Sequence, residues 1–257
     1  MKTFLNRLYS DYLMPSRLAE FDALLQAARD AGYVQQSVRD FLAPLPGPVR
    51  VPVLVHRHDI DSDVRTAAKM FDIEVRNGTR SSFYFRLSTL DYGLMRAIEA
   101  YGSEASYHFE EVANFAKRHR LRQAAEVRRR FPEIRAEFLR NLNTIEARLG
   151  HKLRTVASHG DFANRRLNII NNEILRDRSF RARCGIVCET YDPDLLSRFD
   201  MYISDRPPPV FHYPIAPRAA LGQYRNICFL THPVQWETNW RATTRCNLRR
   251  LVEGLAW

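Results

Sequence analysis

The chain has 257 residues, of which 45% are hydrophobic, 26% charged and 11% aromatic. This composition excludes a disordered or low-complexity chain, and a domain of this length buries enough surface to fold without disulfides or a structural metal. Lys and Arg outnumber Asp and Glu by 39 to 29, for a formal net charge of +10, which attracts anions.

The first residues, MKTFLNRLYSDYLMPSR, carry no apolar run of signal-peptide length, and no stretch reaches the ~20 apolar residues of a membrane span. A soluble cytoplasmic protein with no transmembrane segment is the expectation. The four cysteines, Cys184, Cys188, Cys228 and Cys246, include one C-x3-C spacing but no second close pair to complete a zinc ribbon. They read as small buried hydrophobes.

In chain order, residues 1–48 read as a helical N-terminal extension of a single domain covering 1–257. Within it, SRLAEFDALLQAARDAG places Leu18, Phe21, Leu24, Leu25 and Ala28 on one helical face, closed by Gly32. APLPGPVR (43–50) is a Pro/Gly connector. VPVLVHR (51–57) is the strongest strand candidate, followed by a helix with Ser62 as N-cap and Gly78 as stop. RSSFYFRL (80–87) is a strand and DYGLMRAIEAYG a helix. EASYHF (104–109) is a strand, with helical sequence to Gly150. In the basic stretch 117–140, Ala124, Val127, Phe131, Ile134 and Phe138 recur at helical spacing, so its arginines fall on the other face. LRTVASH (153–159) is a strand and 165–176 a helix. CGIVCET (184–190), FDMYISD (199–205) and ICFLTHP (227–233) are further strands before a closing helix, 238–254. Strands alternating with helices imply parallel βαβ units. Their number implies an α/β fold built as a distorted (β/α) barrel of about seven parallel strands with an N-terminal helical cap. An open doubly wound sheet is the alternative.

Position then singles out residues. His58, Asp59 and Asp61 follow the first strong strand. His108 ends the next strand but one, His159 the strand after that, Asp205 a later strand and His232 the last. In parallel α/β architectures the C-terminal strand ends converge on one face, where ligands bind. Imidazole plus carboxylate is a ligand set favoured by zinc, and also by iron, nickel and cobalt. Such an ion lowers the pKa of bound water towards ~7, while a second carboxylate takes a proton and a histidine supplies one. The inventory suits hydrolysis of an ester or amide. His56 reads as structural and facing away from His58, and His119, His151 and His212 receive no role.

The segment VLVHRHDIDSDVRTAAKMFDIEVRNGTRSSFYFRL resembles the opening of the polysaccharide-deacetylase superfamily (NodB-homology, carbohydrate esterase family 4), in its branch with an R-H-D-[IV]-D segment. E-A-S-Y-H-F-E (104–110), S-H-G-D-F-x-N (158–164), Y-I-S-D (202–205) and T-H-P-x-x-W (231–236) follow in the family's order, so the resemblance spans roughly 50–240. It implies a metal-dependent hydrolase acting on C–N bonds, which removes an acyl group from an amino sugar during bacterial surface-glycan (O-antigen or capsule) biosynthesis. Asp59 matches the catalytic base, Asp61 the metal-binding acid displaced by Ile60, His108 a metal histidine and His232 the late general acid. Trp236 matches a wall of the sugar pocket, and the Tyr107 backbone an oxyanion contact.

The family's H-[ST]-x-x-H segment is broken, because Val112 stands four residues after His108. His159 is then the expected third ligand, ahead of Glu110 and Glu111, which read as the start of a helix. Asp161 and Asn164 are expected to orient ligands or bind substrate hydroxyls. Asp205 either positions a catalytic group or starts a turn. Arg57 and Arg86 are either anion-binding groups or ion-pair partners of nearby acids, and His58 lies beside the substrate. The expected partner is an amino-sugar-containing small molecule or glycan intermediate of anionic character. Nucleic acid is not expected, since no binding module is present and the arginines lack interleaved aromatics. The competing reading is a degenerate barrel that binds glycan or a partner without hydrolysis.

Overall fold

The computed structural model describes residues 2–43 and 51–257; most of the connector 43–50 lies outside them. Nine strands form one sheet: β1 (Val34–Gln36), β2 (Val53–Ile60), β3 (Ser82–Phe85), β4 (Glu104–Phe109), β5 (Thr155–Ser158), β6 (Cys188–Glu189), β7 (Met201–Asp205), β8 (His212–Tyr213) and β9 (Asn226–Thr231). The order is β6-β5-β4-β3-β2-β9-β7-β8, every neighbouring pair being parallel except β7–β8. Among the described residues no pairing joins β6 to β7 or β8, so the sheet stays open where a distorted, closed or nearly closed barrel was expected. It nevertheless curls. Tyr191, just past β6, stacks under the Arg57 guanidinium at 4.4 Å, and Tyr202 on β7 meets the same group at 3.3 Å.

The N-terminal extension is not wholly helical. After the helix Leu18–Asp30, whose Phe21, Leu24, Leu25 and Ala28 are buried as the periodicity requires, β1 pairs with residues 53–55 of β2. β3 pairs with residues 57–60 on the same edge of β2, and β9 holds the other edge. β2 is thus central and buried along its whole length. Other boundaries shift for local reasons. The helix Val64–Asn77 is capped by Asp63, whose carboxylate accepts the Thr66 amide, rather than by Ser62. The expected helix 165–176 is two short turns, Phe162–Leu167 and Asn171–Arg176, broken at Asn168 with φ +51. The expected strand 184–190 shrinks to β6, because the helix Arg178–Cys184 runs into Gly185 at φ +70.

Alternation sorts the side chains onto two faces. Phe83, Phe85, Ala105, Tyr107, Phe109 and Val156 pack outward against the helices, with Val127, Ile134 and Phe138 of the basic stretch. The opposite, concave face carries Arg57, Asp59, Tyr84, Glu104, Ser106, His108 and Thr155. It is polar and paired at depth: Thr155 donates to Glu104 at 2.6 Å and Tyr84 lies 2.7 Å from the Thr155 hydroxyl. The four thiols are free, and burial pushes those of Cys188 and Cys228 up to about 12. No helix among the described residues is long and apolar enough to cross a membrane.

Candidate metal centre

Asp59 and Asp61 stand two residues apart and therefore share the concave face. Asp61, His108 and His159 come from the ends of β2, β4 and β5, and their ligand atoms all lie within 4.8 Å of one another. Asp61 Oδ1 is 3.3 Å from His108 Nε2 and 3.5 Å from His159 Nε2. Tetrahedral zinc with bonds of about 2.0–2.1 Å separates its ligand atoms by roughly 3.3–3.4 Å. Asp61 Oδ1 is also buried without a hydrogen-bond partner, an expensive state for a carboxylate oxygen unless a cation meets it. The donor set, the spacing and this orphaned oxygen fit a divalent ion.

Neighbouring groups aim the ligands. His108 Nδ1 lies 3.0 Å from the Ala157 carbonyl, which leaves Nε2 free to ligate. His159 Nδ1 lies 3.3 Å from Glu110 Oε2, a carboxylate–histidine arrangement of the kind that fixes metal-binding imidazoles. Glu110 is itself bound by Arg86 Nη2 at 2.5 Å. Burial opposes ionisation of Glu110, but His159 and Arg86 hold it well below the usual carboxylate range. Glu110 was passed over in the sequence as a helix start. It does cap the helix Glu111–Arg118, yet its side chain turns back to the site. Glu111 points to the helix side, accepting from Tyr107 at 2.5 Å and Asn141 at 2.9 Å, and burial raises it to about 7.

Asp59 is buried and held from both oxygens by Arg57, at 2.9 and 2.6 Å. Burial raises its pKa, but Arg57, then His108 and His232, bring it below the usual range. Arg57 and Arg86 both form ion pairs, with Asp59 and Glu110. Arg86 also donates to the Asp61 carbonyl at 3.1 Å and lines a cleft beside it. His232 lies across the cavity with Nδ1 2.7 Å from Asp205 Oδ1. Burial pulls His232 down, but Asp205, Asp61 and Asp59 outweigh that and hold it protonated up to about 9. Asp205 thus positions His232.

A cavity of about 340 Å³ brings Asp59, Asp61, His108, His159 and His232 together, walled by Tyr191 and Tyr202. Tyr191 carries no motif in the sequence, and Tyr202 only opens the Y-I-S-D segment, with no role assigned there. Their place shows only once the curled sheet brings β6 and β7 over Arg57.

Several expected contacts fall elsewhere. His58 is on the outer face, fully buried, bonded to Thr231 at 2.5 Å and Glu74 at 2.7 Å, and cannot meet substrate. His56 does not face away from it: two residues apart on a strand, the rings stack at 6.4 Å. Trp236 is 1% exposed in the core, donating its indole N–H to Asp205 at 3.0 Å, and walls no pocket. Asn164 is spent on a capping box with Asp161, although Asp161 also lines the cleft. Tyr107 lies mid-strand, paired with Phe85 on one side and Val156 on the other, so its amide sits inside the sheet.

No family model matches the chain, and no curated protein sequence matches it. Among solved structures the chain is similar to a CE4 family pseudoenzyme from Bacillus anthracis, at 12% identity, with 82% of this chain and 66% of that chain covered and a TM-score of 0.43. It is also similar to a mutant of that protein with restored enzymatic activity, at 12% identity, 83% and 69% coverage and TM-score 0.43. A further mutant gives 12%, 82%, 68% and 0.42.

Proposed function

We propose that the chain is a metal-dependent hydrolase of the polysaccharide-deacetylase kind, which removes an acyl group from an amino sugar in the cytoplasmic assembly of a bacterial surface glycan. The observation that carries this is the meeting of Asp61, His108 and His159 around an unpartnered buried carboxylate oxygen, with Asp59 and His232 in the same cavity. Asp61, His108 and His159 would hold the ion. It would supply Lewis-acid activation of water and of the acyl carbonyl; zinc suits the ligand set best, with iron, nickel and cobalt compatible.

The remaining steps belong to side chains. Asp59, ionised and oriented by Arg57, takes the proton of the attacking water. His232, protonated and oriented by Asp205, gives a proton to the departing amine. Tyr191 and Tyr202 exclude water from one side of the cavity.

The degenerate, binding-only reading draws on the Arg57–Asp59 pair, since a carboxylate held from both oxygens is a weak base. Elemental analysis of protein purified without added metal, with acetate release from N-acetylated amino sugars, separates the two. Near-stoichiometric metal in wild type, lost in Asp61→Ala and His108→Ala, together with acetate release that Asp59→Asn abolishes, is the expected result. Metal-free wild type that takes up no added zinc overturns the proposal.

A further inference from the structure

Asp61 and His159 also open onto a larger cleft, about 700 Å³, bounded by the helices Phe162–Leu167 and Trp240–Ala256. Seven arginines line it against three acids, Asp61, Asp161 and Glu253. Lys117 already neutralises two of those acids, at 3.1 Å from Asp161 and 2.7 Å from Glu253.

Several arginines elsewhere on the surface carry their own counter-ions. In the basic stretch, Arg118 pairs with Glu137, Arg128 with Glu173 and Arg130 with Glu133. In the cleft, the side chains of Arg165, Arg245, Arg249 and Arg250 have no hydrogen bond or ion pair among the described residues. Arg245, Arg249 and Arg250 lie on the face of their helix that lines the cleft, and Arg165 stands on the other wall. On the same wall as Asp61, Arg86 is nine-tenths buried and its Nε has no partner. Like charges gathered without counter-ions repel one another, and an anion that shares them relieves that repulsion.

We propose that this cleft binds the diphosphate of a diphosphate-linked amino sugar and so presents the sugar to the Asp61–His108–His159 centre; the second half of this statement rests on the hydrolase reading. Guanidinium forks match phosphate oxygens in pairs. An acidic polysaccharide spreads its carboxylates along a groove, whereas here the unpartnered arginines crowd one cleft beside the centre. Phe162 is the one aromatic side chain lining the cleft apart from His159. Its ring is already engaged by Trp257, Lys117 and Arg166, so recognition falls on the phosphates.

The test is titration of the full chain with inorganic pyrophosphate, uridine diphosphate and farnesyl diphosphate, with a chelator present so that no metal bridges the phosphate. Wild type and Arg122→Gln, an exposed arginine outside the cleft, are expected to bind pyrophosphate alike. The triple variant Arg245→Gln, Arg249→Gln, Arg250→Gln is expected to bind at least about tenfold more weakly, and Arg165→Gln to lose a smaller factor. Tighter binding of uridine diphosphate than of farnesyl diphosphate identifies a nucleotide-linked source, and the reverse a lipid-linked one. Unchanged binding by the triple variant overturns the proposal. So does binding to phosphatidylglycerol vesicles with none to pyrophosphate, or tighter binding of oligogalacturonate than of pyrophosphate. No pyrophosphate binding by a wild type that carries metal as purified, before chelation, removes the cleft assignment and leaves the hydrolase reading standing. Pyrophosphate binding by a protein that takes up no metal does the opposite.

Discussion

Asp205 holds His232 from two directions: Oδ1 lies 2.7 Å from the ring Nδ1, while Oδ2 accepts the His232 amide at 2.6 Å and the Trp236 indole at 3.0 Å. The imidazole is thereby fixed with Nε2 left for the cavity, and the carboxylate is the strongest charge raising it to about 9. Asp205→Asn removes that charge. His232 is expected to titrate well below 9, moving the alkaline limb of the pH–rate profile to lower pH. The fold is expected to lose roughly 2–4 kcal/mol because the N–H donors lose a charged acceptor. Imidazole NMR titration reads the first effect and denaturant melts the second. An unmoved His232 titration would count against Asp205 as its positioning residue.

Arg57 and Asp59 form a buried pair whose removal is asymmetric. Arg57→Gln strands a carboxylate that is otherwise held ionised, so Asp59 is expected to titrate at higher pH and the acid limb of activity to move up with it. Breaking such a pair from one side costs about 3–5 kcal/mol. Arg57→Lys restores the charge without the two-point grip and is expected to fall between the two. A pH–rate profile together with thermal melts separates a shift of the base from a general loss of folded protein.

The strand ends were readable because period-2 alternation fixes which residues share a face: placing Asp59, Asp61, His108, His159 and His232 needed only that and the rule that parallel strands converge. The same rule, misapplied, set His56 opposite His58, whereas two residues on a strand return to the same side. His58, one residue before Asp59, falls on the opposite face by the same alternation, but its partners Glu74 and Thr231, 16 and 173 residues away, could not be read from sequence. Tyr191 and Tyr202 depend on sheet curvature, which no local pattern encodes. A two-residue strand such as β8 carries too little periodicity to be seen, β6 was seen but drawn too long, and β1 was hidden inside a helical segment.

Glu110 acts at one remove from the candidate metal site, through His159 and under the hold of Arg86. Glu110→Gln keeps the shape but removes the charge that favours the Nδ1-protonated imidazole. Metal affinity is expected to fall by about 10–100-fold, measured by competition with a chromogenic chelator. His159→Ala is expected to lose the ion outright. If Glu110→Gln binds metal as tightly as wild type, Glu110 serves only to hold Arg86.

His56 sets an acid limit on the fold. Buried with Nε2 2.8 Å from Gln35 Oε1, it is pushed by burial, and next by His58, from 6.5 down to about 3. Between those two values the unfolded chain holds a proton that the folded chain refuses, so stability falls as pH drops from 6.5 towards 3. The span is worth on the order of 5 kcal/mol. Glu111 works in the other direction: raised from 4.5 to about 7, it keeps a proton in the folded chain that the unfolded chain gives up, so stability falls as pH rises through that window. His56→Gln retains a donor for Gln35 and removes the titration, at a packing cost of roughly 1–2 kcal/mol at neutral pH. The difference in unfolding free energy between pH 7 and pH 4 is therefore expected to shrink in His56→Gln, read by urea denaturation at the two pH values. Equal differences in variant and wild type would assign the acid lability to another group.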